Sequence, residues 1–213
     1  MSAPITIDDA RRLYEAGGGG HDFDHVLRVL ALAERIAGAE GADLAVVRTA
    51  ALLHDVAESA DRDAHHLLGA QRARELLAGE PPEFVDAVAH CIEAHRFRHD
   101  PQPQTLEAKI LSDADKLDSI GAIGVGRAFA YAGAAGTALW RQTVTEIAGQ
   151  DSDARRGPKE LGEGYTPTHE FVFKLDRIPD RLYTEMARRI ADERRRFMAA
   201  FFARLDREAL GEA

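Results

Sequence analysis

The chain has 213 residues, of which 45% are hydrophobic and 30% charged, a balance that allows a sizeable core and excludes a disordered or membrane-embedded protein class. A formal net charge of −9 argues against nonspecific attraction to nucleic acid or an anionic membrane, although charge local to a site can still draw a phosphorylated small molecule. One cysteine, Cys91, excludes an internal disulfide framework; with no apolar signal core in the first residues, a cytoplasmic location is expected.

Helical periodicity organises the chain from its start. Thr6 is expected to cap a helix over Ile7–Ala16, stopped by the glycine run 17–20. Val26, Val29, Leu30, Ala33 and Ile36 recur at helical spacing and end near Gly38–Gly41. Asp43 is placed to cap a third helix running to about Glu58, and further helices are predicted over Leu67–Leu77 and Glu83–His95. The segment 96–104 contains two prolines and reads as a loop. Thr105 then caps a helix over Leu106–Ile120, followed by helices over Ala122–Tyr131 and Ala138–Ala148. Glu170–Lys174 is the one segment that could also be a strand. A long last helix is expected after Pro179, with Tyr183, Ile190, Phe197, Phe201 and Leu205 as its apolar stripe. The stretch from Gly149 to Pro167, rich in Gly, Asp, Arg and Pro, is expected to form a lid over the site or a contact in a homodimer.

The chemistry gathers at His54-Asp55, which closes the apolar run Ala50-Ala51-Leu52-Leu53. An imidazole and a carboxylate at the end of a buried run need partners, because unpaired burial of a carboxylate costs several kcal/mol. A divalent cation satisfies both. His25 shares a helical face with Val29, Leu32 and Ile36 and points inward; His21 would do so if the helix reaches back that far. Asp115 lies in Asp113-Ala-Asp-Lys-Leu-Asp118.

Taken in order, His25-x-x-Arg-Val29, Ala51-Leu-Leu-His-Asp55 and Asp113-Ala-Asp-Lys-Leu-Asp118 resemble the motifs of the HD-domain superfamily of metal-dependent phosphohydrolases. Gly121-Ala-Ile-Gly124 and Lys174-Leu175 further suggest its small single-domain, YedJ/YpgQ-like subgroup. The resemblance implies an all-α fold, an HD-domain helical bundle with a C-terminal helical extension. A single HD domain then covers 1–213, with a metal-binding core over 21–135 and a loop and extension over 136–213. It implies His25, His54, Asp55 and Asp115 as ligands of one divalent metal. Two imidazoles and two carboxylates suit Mn, Ni, Co, Fe or Zn better than Mg or Ca, and a bound cation brings the pKa of water towards ~7.

By the same resemblance Glu58 orients or deprotonates the attacking water, although it could also be a solvated residue at a helix end. Lys116 would neutralise charge on a phosphoryl oxygen, or simply pair with Asp113. His95 is expected to donate to phosphate, with His21, Asp118 and Lys174 as further substrate contacts and His90 left to packing. The pair His65-His66 either binds a second ion or lies exposed at a polar helix start. Gly121-x-x-Gly124-x-Gly126 has the wrong spacing for a dinucleotide loop, and the arginines from Arg188 to Arg196 are interleaved with acids as on a solvated face.

The expected activity is hydrolysis of a nucleotide or related phosphorylated metabolite, in particular pyrophosphohydrolysis of a nucleoside triphosphate by metal-activated water. Two other classes stand beside it: a non-catalytic nucleotide-sensing domain, and a di-iron oxygenase on the same frame. An alarmone hydrolase fits less well, because an acid pair expected after His-Asp reads here as Glu58-Ser59.

Overall fold

The structure, a computed structural model, describes residues 4–16, 23–57, 65–96, 101–150 and 162–213. Glu58, His21 and the central part of the 149–167 loop therefore lie outside the described residues. Among those described, the regular structure is helical and no strand occurs. No helix of the described residues is long and apolar enough to cross a membrane.

The described residues form ten α-helices, in order α1 (Ile7–Ala16), α2 (Phe23–Glu40), α3 (Leu44–Leu53), α4 (His65–Leu76), α5 (Pro82–Glu93), α6 (Leu106–Asp118), α7 (Gly121–Ala135), α8 (Val144–Ala148), α9 (Pro167–Phe173) and α10 (Glu185–Ala209). The chain divides into two compact units, residues 1–116 with 183–187 and residues 117–182 with 188–213. In the first, α2 packs on α3, α3 on α5 and α4 on α5, around fully buried Ile36, Leu52, Leu53, Leu77 and Ile92. In the second, α9 packs on α7 and α8, and the stacked rings of Phe171 and Phe202 lie 4.5 Å apart.

Local chemistry explains most boundaries. Thr6 accepts from the Asp9 N–H, Asp43 from the Ala45 and Val46 N–H groups and Thr105 from the Ala108 N–H, so the three expected caps are present. The segment 170–174 is helical up to Phe173 because Pro167 suits a first turn and the Thr166 N–H and hydroxyl both donate to His169 Nδ1. The helix expected over Ala138–Ala148 shrinks to Val144–Ala148, since a reciprocal Thr143–Glu146 capping box starts it late. Gly124 is obligatory: a Cβ there would run into the carbonyl of Ser119, only 2.9 Å from its carbon.

Ile190 lies on the buried face of the last helix as expected, but in its C-terminal half that face runs through Met198 and Phe202, one residue on from the expected Phe197 and Phe201. Its buried face is Ala187, Ile190, Ala191, Met198 and Phe202, whereas Phe197 is 48% exposed and Tyr183 precedes the helix. The small side chains of Ala187 and Ala191 set that face, and bulky residues alone misplace it by one step of about 100°.

Candidate metal centre

His25 sits on the first turn of α2, a helix whose buried face includes Val26, Val29, Leu30 and Ile36. His54 and Asp55 follow the last residue of α3 and lie in a turn, not in a helix continuing to Glu58 as expected. Two bonds end the helix there. The His54 ring donates from Nδ1 to the Ala51 carbonyl at 2.8 Å, and the Asp55 N–H donates to the Tyr14 hydroxyl from α1 at 3.2 Å. The carbonyl that would receive the Asp55 N–H in a longer helix is thus already in use.

With Nδ1 bonded to the Ala51 carbonyl, Nε2 is the His54 nitrogen turned towards the other candidate ligands. That atom is 3.3 Å from His25 Nε2 and 3.3 Å from Asp55 Oδ2, while His25 Nε2 lies 3.7 Å from Asp55 Oδ2 and 3.4 Å from Asp115 Oδ1. His54 is fully buried, so its polar atoms meet the carboxylate and imidazole of its neighbours away from water. The donor set therefore fits a divalent transition metal, which would take nitrogen and oxygen ligands together. Of the residues expected to meet, the structure brings together His25, His54, Asp55 and Asp115.

A second group forms on the other carboxylate oxygen. His65 opens α4 and places Nε2 3.5 Å from Asp55 Oδ1; His95, two residues beyond α5, places Nε2 3.7 Å from the same atom. Among the described residues, His25, His54 and Asp55, and separately Asp55, His65 and His95, offer ligand atoms all within 4.8 Å of one another. His95 repeats the device of His54, its Nδ1 donating at 2.6 Å to the carbonyl of Ile92 three residues back. Instead of lying at an exposed helix start, both His65 and His66 are buried.

Burial works against charge throughout the centre. It pushes the His95 imidazole down to about 4, so this ring is neutral at physiological pH with its Nε2 lone pair available. At His54 burial is outweighed by the charge and hydrogen bond of Asp55, and the pKa is raised. Asp55 goes the other way: burial is outweighed by the neighbouring imidazoles, led by His54, and the carboxylate is held well below its usual range. For Asp115 the His25 hydrogen bond and the His95 and His54 charges overcome burial and bring the pKa to about 2.

A pH signature follows. In the metal-free protein His54 keeps its proton beyond the ordinary imidazole pKa of 6.5, so a cation must displace it. Metal affinity is expected to rise with pH through that raised pKa, with the His54 proton released as the ion binds, whereas the already ionised Asp55 and the neutral His95 release none. Calorimetric titration in buffers of different ionisation enthalpy checks this; a proton count of zero below pH 6.5 would contradict it.

The remaining site residues behave differently. Lys116 is buried beside Asp115, and its ammonium donates to the Ser112 carbonyl at 2.9 Å and to the Ser112 hydroxyl. Asp113 is fully buried and accepts from the Tyr183 and Thr184 N–H groups and the Thr184 hydroxyl. Asp118 and Lys174 belong to the second unit: the first is buried 3.9 Å from the Arg127 guanidinium, and the second is exposed and paired with Glu170 at 2.7 Å. His90 accepts the Gln104 N–H at Nε2.

Known proteins align with this arrangement. The HD domain family profile matches residues 22–120. YpgQ of Bacillus subtilis is 35% identical over 197 residues, covering 90% of this chain and 86% of YpgQ. The crystal structure of Bacillus subtilis YpgQ in complex with ADP superposes with a TM-score of 0.71 at 32% identity, covering 95% of this chain and 94% of that one. A predicted HD superfamily hydrolase from an uncultured Thermotogales bacterium gives 0.65 at 28% identity, covering 95% and 90%.

Proposed function

Because this chain belongs to the HD-domain family and is YpgQ-like, we propose that it is a metal-dependent phosphohydrolase acting on a nucleotide. The observation that carries this reading is the cluster in which His25 Nε2 and Asp55 Oδ2 meet His54 Nε2 and Asp115 Oδ1 meets His25 Nε2, with the His54 ring oriented by its Nδ1 bond to Ala51. A divalent cation held by His25, His54, Asp55 and Asp115 would polarise a phosphoryl oxygen and acidify a water. The nucleotide is supported by ADP in the YpgQ crystal structure.

Around that centre the chain supplies orientation and proton transfer. Glu58 follows the His54-Asp55 turn in sequence and is assigned the proton of the attacking water. The buried Lys116 ammonium adds positive potential next to Asp115, where negative charge grows on the phosphoryl group. Asp118, Lys174 and His21 are assigned to the substrate, and cleavage between phosphates of a nucleoside triphosphate is the reaction favoured.

A second reading rests on the Asp55, His65 and His95 group, which has the spacing to hold another ion with Asp55 shared. His95 is then a ligand and not a phosphate donor. Metal-reconstituted protein tested on nucleoside mono-, di- and triphosphates, with phosphate and pyrophosphate release and metal content measured together, decides these assignments. Pyrophosphate from triphosphates supports the reading. Nucleotide binding without turnover makes the domain a sensor, and two irons with oxygen consumption make it an oxygenase.

A further inference from the structure

The carbonyl of His95 lies past the last backbone bond of α5, which runs from the Ala94 N–H to the His90 carbonyl. It is nevertheless not left to water. Ser112, on α6 and 1% exposed, donates its hydroxyl to that carbonyl at 3.1 Å. The same hydroxyl accepts from the Lys116 ammonium one turn further along α6, and that ammonium also donates to the Ser112 carbonyl at 2.9 Å. The result is a directed chain: ammonium to hydroxyl, hydroxyl to carbonyl. Each donor in such a chain polarises the next, and the ammonium leaves the serine proton only one direction to take.

Ser112 and Asp115 are three residues apart and share a face of α6, so one rigid helix contacts both groups of ligands. Asp115 reaches His25 directly, at 3.4 Å. Ser112 reaches His95 through its backbone, and the His95 ring is then oriented by its own bond to Ile92.

We propose that Ser112, held by Lys116, is the positioning residue that fixes His95 against Asp55 and thereby creates the second metal position of this site. This deepens the two-ion reading above and rests on it for its metal arm. Lys116 thus acts on His95 through Ser112 in addition to its charge. Neither residue needs to touch an ion.

The test compares wild type with Ser112→Ala and Lys116→Met in the full chain, using protein labelled with ¹⁵N at histidine. In metal-free wild type, His95 is expected to give the pattern of a single Nδ1–H tautomer in long-range ¹H–¹⁵N spectra, and in both variants an average of two tautomers, with His54 unchanged. Titrated with Mn²⁺, Ser112→Ala should lose at least ~10-fold in affinity for the second equivalent while the first stays within about twofold, in the range for loss of a group that orients a ligand. A thermal melt confirms folding; should Ser112→Ala not fold, Lys116→Met carries the His95 tautomer comparison alone. A His95 spectrum identical to wild type overturns the proposal, and so does equal weakening of both equivalents. If wild type binds only one equivalent, the two-ion reading falls, and the role of Ser112 stands or falls on the His95 spectrum alone.

Discussion

Asp55→Ala is expected to remove metal binding and turnover together. Among the described residues Asp55 alone belongs to both ligand groups, since Oδ2 faces His54 and His25 while Oδ1 faces His65 and His95. Alanine leaves those imidazoles around an uncharged methyl group and removes the negative charge that holds the cation. Metal affinity should drop by more than the ~10–100-fold that follows loss of an outer-shell partner, and kcat by at least about 10²-fold. The backbone N–H of residue 55 can still reach the Tyr14 hydroxyl, so the turn itself should survive. Metal analysis of the purified variant, with circular dichroism to establish folding, provides the check. Stoichiometric metal in folded Asp55→Ala protein would move the centre elsewhere.

Glu58→Gln should separate chemistry from binding. It keeps size and hydrogen bonding while removing the basic oxygen, so metal content and KM should stay near wild type while kcat falls about 10²-fold or more. A glutamine variant with wild-type kcat would transfer the water-activating role to another group. Loss of metal in the same variant would instead make Glu58 a ligand or a ligand's support.

What the sequence revealed divides along lines of distance. The caps at Thr6 and Asp43 act within three residues, and both were readable. His25, His54, Asp55 and Asp115 were readable as an ordered set because each sits in its own short motif. The end of α3 was not, because it depends on a tyrosine hydroxyl 41 positions away. His65 and His95 join Asp55 only once α3, α4 and α5 have packed, so the family resemblance, not local spacing, offered His65 as a possible ligand of a second ion and His95 as a site residue. One signal was present: His54 and His95 each come just past the apolar end of a helix, where a ring nitrogen can bond the carbonyl three residues back. The inward face of α10 was legible at Ile190 but misplaced towards its C-terminal end, because the alanines that help define it contribute little bulk to a periodicity read from large side chains.

The fastening of Asp113 has a consequence for how this gene could be divided. The segment 183–187 returns to the first unit, and its backbone supplies donors to a carboxylate with no exposed surface. A polypeptide ended at residue 120, where the family profile stops, would keep that carboxylate and lose Tyr183 and Thr184. Stripping the donors from a buried acid costs several kcal/mol or forces it to take up a proton, a large fraction of a domain's total stability. The stretch that defines the family by sequence is therefore not an independent module here. Recombination or truncation that separates it from the start of the last helix would be selected against through folding, before any loss of chemistry was felt.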